Sequence, residues 1–152
     1  MAMYLLQRLA GLPDRGKDEV GGEIGKGPAK LAYGFSMAQG RRPYMEDVLF
    51  ASLNFGSDGN SCFFGVFDGH SGKKAALWAK EHLPKNLSTE LESSRGVQEA
   101  LTRAFLKTDG DFLDKAGREG LTDGCTVTTA LLSGHELYVA NAGDRCPLPA
   151  LP

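Results

Sequence analysis

Four acidic residues stand where carboxylates can do chemistry. Glu46 and Asp47 immediately precede one apolar run, Asp68 follows another, and Asp144 follows a third. Asp68 and Asp144 each adjoin a glycine, Gly69 and Gly143. Carboxylates crowded at strand ends repel one another unless a cation neutralises them, and oxygen ligands without cysteine favour a hard ion, Mg2+ or Mn2+. A glycine beside Asp68 lets the backbone carbonyl approach such an ion. Arg42, four residues before Glu46, offers a guanidinium suited to bidentate capture of a phosphate. His70, two residues past Asp68, has an imidazole able to give a proton to a leaving group. Plainer readings stand beside these: an Asp-Gly turn, a solvated Glu-Asp pair, a surface arginine, a structural histidine. On residue types and spacing alone, a hard-cation site and a set of unrelated turns and caps stand level.

Two other chemistries fail at the same places. Strand, then Gly69-His70-Ser71-Gly72, then helix imitates a nucleophile elbow, but the G-x-S-x-G pattern ends on Lys73, and His135 sits in a hairpin turn rather than in triad order. The glycines around Gly22, Gly25 and Gly27 suggest a phosphate loop, but Val20 stands where its first glycine is required. No Ser or Thr follows Lys26.

The elements that must position these residues follow from patterning. Residues 1–12 suit a short helix with Leu5, Leu9 and Leu12 on one face, and 13–30, rich in glycine and bracketed by Pro13 and Pro28, read as a flexible loop. Strands are predicted over 31–37, 48–54 and 62–67, the last a continuous apolar run that stops at Asp68. A helix follows through Ala75, Ala79, His82, Leu83 and Asn86, expected to end early at Pro84. A second helix carries Val97, Leu101, Ala104, Phe105 and Phe112 inward and Glu99, Arg103 and Lys107 outward. A link containing Gly117, Gly120 and Gly124 leads into a hairpin of 125–132 and 137–141. Grouped strands without βα alternation point to an α+β fold.

The chain has 152 residues, 41% of them hydrophobic, and a formal net charge of -2, which bounds it to about one domain. Seventeen Lys and Arg against nineteen Asp and Glu give no basic excess, so no nucleic-acid partner is expected. No apolar run approaches the roughly 20 residues of a membrane span. The N-terminal run lacks a basic region ahead of its apolar residues, and Ala2 excludes N-myristoylation. Cys62, Cys125 and Cys146 form no CxxC pair, and Cys62 and Cys125 fall in apolar runs as buried thiols. A reducing compartment, cytoplasmic or nuclear, is the expectation.

Three segments together resemble the metal-dependent, type 2C serine/threonine protein phosphatases: YGFSMAQGRRPYMED at 33–47, FFGVFDGHSG at 63–72, and DGCTVTT at 123–129 with VANAGDR at 139–145. The resemblance covers roughly 31–145. It implies a four-layer α-β-β-α sandwich of two antiparallel sheets flanked by helices, with the metals between the sheet edges. It also implies roles. Asp68 bridges two Mg2+ or Mn2+ ions, the Gly69 carbonyl is a ligand of one, and Glu46 completes the first or second shell. Asp47 orients a metal-activated water that attacks phosphoserine or phosphothreonine directly. Arg42 holds the substrate phosphate, His70 is the general acid, and Asp144 with Thr126 lies near a third, weaker metal.

The resemblance also has edges. Cys125 stands where the family usually has Ser, and the match stops after Arg145, where CPLPALP follows at 146–152. The domains so expected are an N-terminal helix and Gly-rich segment (1–30), an N-terminal portion of the phosphatase domain (31–145) lacking its C-terminal strands, and a Pro-rich tail (146–152). With two further metal-binding aspartates of the family having no counterpart, one metal is expected to be incompletely liganded. Reduced or absent turnover by a monomeric chain is the first expectation. A non-catalytic binding or decoy protein for phosphoproteins, or an incompletely folding product, is the alternative.

Overall fold

The computed structural model describes residues 19–24 and 31–143. The helix expected over 1–12, the tail 146–152 and Asp144 lie outside the described residues. The chain divides into two compact units, 1–45 and 46–152.

In the first unit, β1 (Glu19–Ile24) and β2 (Ala32–Met37) form an antiparallel pair, in register from Glu19 opposite Met37 to Ile24 opposite Ala32. Over 19–24 this corrects the expectation of a loop across 13–30, whose other residues lie outside the described ones. Gly21 and Gly22 have poor strand propensity, but pairing with a neighbouring strand overrides an intrinsic preference of that size.

The second unit holds β3 (Val48–Phe55), β4 (Ser61–His70), α1 (Lys74–Ser93), α2 (Val97–Glu119), β5 (Gly124–Ser133) and β6 (Glu136–Ala142). Its four strands form one antiparallel sheet in the order β3-β4-β5-β6. The α+β class and the antiparallel pairing agree with the sequence reading. One face of the sheet packs under α1, which in turn packs on α2. Phe63, Phe67, Val127 and Leu131 from the sheet meet Ala76, Leu83 and Leu87 of α1 and Ala100, Leu101 and Ala104 of α2. Burial of each large side chain contributes about 1.5–3 kcal/mol, so this cluster sets the orientation of the sheet to the helices.

Three boundaries differ from expectation. Helix α1 does not stop at Pro84 but runs through it to Ser93. The missing Pro N–H costs about 3 kcal/mol, but Leu83, Pro84 and Leu87 are all buried, and their packing outweighs one lost bond. Gly117 belongs to α2 rather than to a link, and the helix ends at Gly120, whose φ of 65° is the left-handed conformation of a C-cap. Strand β4 continues past Asp68 to His70, because its pairing with β5 runs unbroken from Ser61 opposite Ser133 to His70 opposite Gly124.

Candidate metal centre at one end of the four-stranded sheet

Antiparallel register gathers the chemistry-bearing residues at one end of the sheet. Val48 pairs with Phe67, so Asp47, one residue earlier, comes level with Asp68. Asp68 pairs with Thr126. Val127 pairs with Ala142, which brings Thr126 level with Gly143. Asp47, Asp68, Thr126 and Gly143 therefore form a row across the sheet end, and Asp144 is the next residue in sequence. Because successive strand residues face opposite ways, Asp68 lies on the face away from Phe67 and the helix-packed core.

Glycine lets the backbone close up at this end. A Cβ on Gly69 would lie 2.7 Å from the Glu46 carbonyl oxygen and 3.1 Å from that of Gly72. Gly143 has φ +103°, and a Cβ there would lie 2.8 Å from Cγ2 of Thr126. The Asn141 side chain accepts from Thr128 Oγ1 (2.8 Å) and donates to the Gly143 carbonyl (3.1 Å), fixing the peptide that leads to Asp144. In the sequence Asn141 stands only within the VANAGDR motif, with no role of its own.

The turn from β4 into α1 is held from outside. Gly72 N–H donates to Glu46 Oε1 (2.7 Å), and Lys74 N–H donates to Asp123 Oδ1 (2.9 Å). Glu46 thus spends one carboxylate oxygen on the loop. Asp123 was read only as part of a motif. The local signal for its role is that α1 starts without a side-chain cap of its own.

Burial first, then the Asp68 and Asp47 carboxylates, push the Cys125 thiol up to about 12. A cavity of about 530 Å3 opens between the helices and the β5–β6 side, lined by Trp78, Phe105 and Phe112 and reaching His70, Asp123 and Cys125. Asp47, Asp68 and Thr126 do not line it, so this apolar cavity is not where the acids point.

The sheet end thus brings together Glu46, Asp47, Asp68, Gly69, His70 and Thr126. Arg42 belongs to the first unit, where it is exposed; Gln39 Nε2 donates to the carbonyls of Arg42 (2.8 Å) and Pro43 (3.2 Å), fixing its turn. Among the described residues, no three His, Cys, Asp and Glu side chains converge tightly enough to hold an ion alone. Backbone carbonyls and hydroxyls fall outside that count. The donors offered here are oxygens: the Asp47 and Asp68 carboxylates, the Gly69 carbonyl, the Thr126 hydroxyl and the second oxygen of Glu46. Such a set fits a hard divalent cation and not a thiophilic one.

A family model described as "Protein phosphatase 2C" matches residues 31–146. A relative from Oryza sativa subsp. japonica, "Probable protein phosphatase 2C 55", is 44% identical over 116 residues, covering 76% of this chain and 31% of its own length. "Protein phosphatase 2C homolog 2" of Schizosaccharomyces pombe is 41% identical over 121 residues, covering 75% of this chain and 32% of its own. The chain spans about a third of the length of these curated relatives. Among solved structures, serine-threonine phosphatase 2C from Toxoplasma gondii shares the fold with a TM-score of 0.60 at 19% identity, over 84% of this chain and 42% of that one.

Proposed function

Because the chain belongs to the protein phosphatase 2C family, we propose that its sheet end is part of a divalent-cation centre for hydrolysing phosphoserine and phosphothreonine in proteins. The observation that carries this reading is the row of Asp47, Asp68 and Thr126 across adjacent strands, in register. In it, Asp68 and the Gly69 carbonyl would hold Mg2+ or Mn2+, and Asp47 would orient the attacking water. Glu46 supports the set by gripping Gly72 with one oxygen, and its other oxygen would serve the ion or its water. The cation, when bound, supplies charge that lowers the pKa of water and offsets charge on the phosphoryl oxygens. Thr126 and Asp144 bear on a further, weaker cation position.

The remaining roles belong to side chains. Arg42 binds two phosphoryl oxygens through its planar fork, a geometry that lysine cannot reproduce. His70 gives its proton to the serine or threonine oxygen as the ester bond breaks, which prevents expulsion of an unprotonated alkoxide. Gly124 makes room for that imidazole, since a Cβ at 124 would overlap the His70 ring.

The test is phosphate release from a phosphothreonine peptide with Mn2+, comparing this 152-residue chain with a full-length relative. Covering about a third of such a relative, the chain is expected to turn over far more slowly, with its release dependent on Mn2+ and lost in D68N. Release that does not depend on Mn2+, or that is untouched by D68N, contradicts the reading.

A further inference from the structure

We infer that Asp123 is a positioning residue for the cation centre, clamping the turn that carries Asp68, Gly69 and His70 to the start of β5. The functional consequence rests on the cation reading above. The clamp itself rests on geometry alone.

The turn after β4 has an improbable backbone. Ser71 has φ 59° and Gly72 has φ 135°, two successive residues in a region that L side chains rarely adopt. Nothing local to the turn compensates. The N-cap residue of α1 is Lys73, it makes no side-chain cap, and the first turn of α1 holds no acidic residue. A helix start of this kind leaves its first N–H groups without acceptors.

Two carboxylates from distant sequence hold this turn, one of them at the first N–H of the helix. Asp123 Oδ1 accepts from Lys74 N–H at 2.9 Å, across 49 residues, and places negative charge at the positive end of the helix. Glu46 Oε1 accepts from Gly72 N–H at 2.7 Å, across 26 residues. The Asp123 carboxylate also lies directly against Gly72, so that a Cβ at 72 would collide with it. The turn is therefore gripped at Gly72 by the lead into β3 and at Lys74 by the lead into β5.

The residue after Asp123 completes the device. Gly124 pairs with His70, and the imidazole occupies the space its side chain would fill. The dipeptide Asp123-Gly124 thus meets both sides of the turn, its carboxylate on the helix side and its bare backbone under the histidine. Release of the carboxylate frees the strained turn to relax, and that relaxation passes to Gly69, whose close approach to the Glu46 and Gly72 carbonyls tolerates little movement.

The test uses the 152-residue chain with D123A, D123N and G72A, read by Mn2+ titration followed by electron paramagnetic resonance and by amide hydrogen exchange without metal. D123A is expected to weaken Mn2+ binding about tenfold or more, as loss of an outer-shell partner does. It should also speed exchange at Gly72 and Lys74 about tenfold, with exchange in α2 unchanged as the sign of an intact fold. D123N keeps an oxygen acceptor and should hold both quantities within about threefold of wild type. Should D123A fail to fold, G72A, which drives a methyl into the Asp123 carboxylate, is expected to give the same pair of effects. Mn2+ affinity within twofold of wild type in D123A, or D123N as impaired as D123A, overturns the inference. If the wild-type chain binds no Mn2+, the cation reading fails by itself, and exchange decides the clamp: faster exchange in D123A supports it, unchanged exchange overturns it.

Discussion

The tightest approach to backbone atoms in the candidate centre is at Gly69, and it converts into a stability change of defined sign. In G69A the new methyl would sit 2.7 Å from the Glu46 carbonyl oxygen, 3.1 Å from the Gly72 carbonyl oxygen and 3.3 Å from Ala76 Cβ. Ordinary contact begins at 3.4 Å, so about 0.7 Å must be found against the first neighbour. None of the three can swing aside. Two are backbone carbonyls and the third is the Cβ of a fully buried helical residue. That places the substitution toward the upper part of the overpacking range, about 2–3 kcal/mol. The single tryptophan, Trp78, stacks on His82 with ring centroids 3.6 Å apart and reports unfolding by fluorescence. With an m-value of about 2 kcal/mol/M, the urea midpoint of G69A should fall by about 1–1.5 M. A midpoint within about 0.2 M of wild type would refute the claim that the sheet end is closed on a bare glycine.

Other perturbations separate the parts of the account. Gly110 and Gly117 lie in α2 with nothing within 4 Å of an added Cβ, so G110A and G117A should each stabilise by about 0.5–1 kcal/mol in the same urea assay; a loss would contradict the helical assignment. Cys125, its thiol raised from 9.0 to about 12 chiefly by burial and then by Asp68 and Asp47, should stay protonated and alkylate at least about tenfold more slowly at pH 8 in the native, metal-free chain than in urea, measured by peptide mass spectrometry. A raised thiol pKa favours the folded state fully below the unfolded value near 9.0, and that contribution fades as pH climbs through about 12. Equal alkylation rates would contradict the burial that holds the Cys125 thiol up. In any phosphopeptide turnover that the chain shows, R42A should raise KM by about tenfold or more and R42K should restore little of it, since one ammonium cannot replace a two-pronged contact; full rescue by lysine would remove the bidentate role.

Much of the sheet end was legible because its signals are local and redundant. Asp68 after a dense apolar run lies two residues short of the end of β4, and Gly143 directly follows β6, and the antiparallel register then lines the two up through Thr126. What escaped depends on partners far away in sequence. Pro84 carries a local stop signal, and only the burial of Leu83 and Leu87 against the sheet and α2 explains why α1 continues. Gly21 and Gly22 look like loop residues until β2 is seen beside them. The cap on α1 comes from Asp123, 49 residues from the helix start it serves, so no window around Lys73 contains it. Asn141 likewise acts through Thr128 on a neighbouring strand.

The central claim, a hard-cation centre built on Asp68, is tested most directly by Mn2+ binding to the 152-residue chain and its D68N variant, followed by electron paramagnetic resonance. The asparagine keeps the size of the side chain but removes the charge. The account predicts that the wild-type chain sequesters Mn2+ and that D68N weakens binding at least about tenfold. Equal Mn2+ binding by the two chains, or none by the wild type, would contradict it.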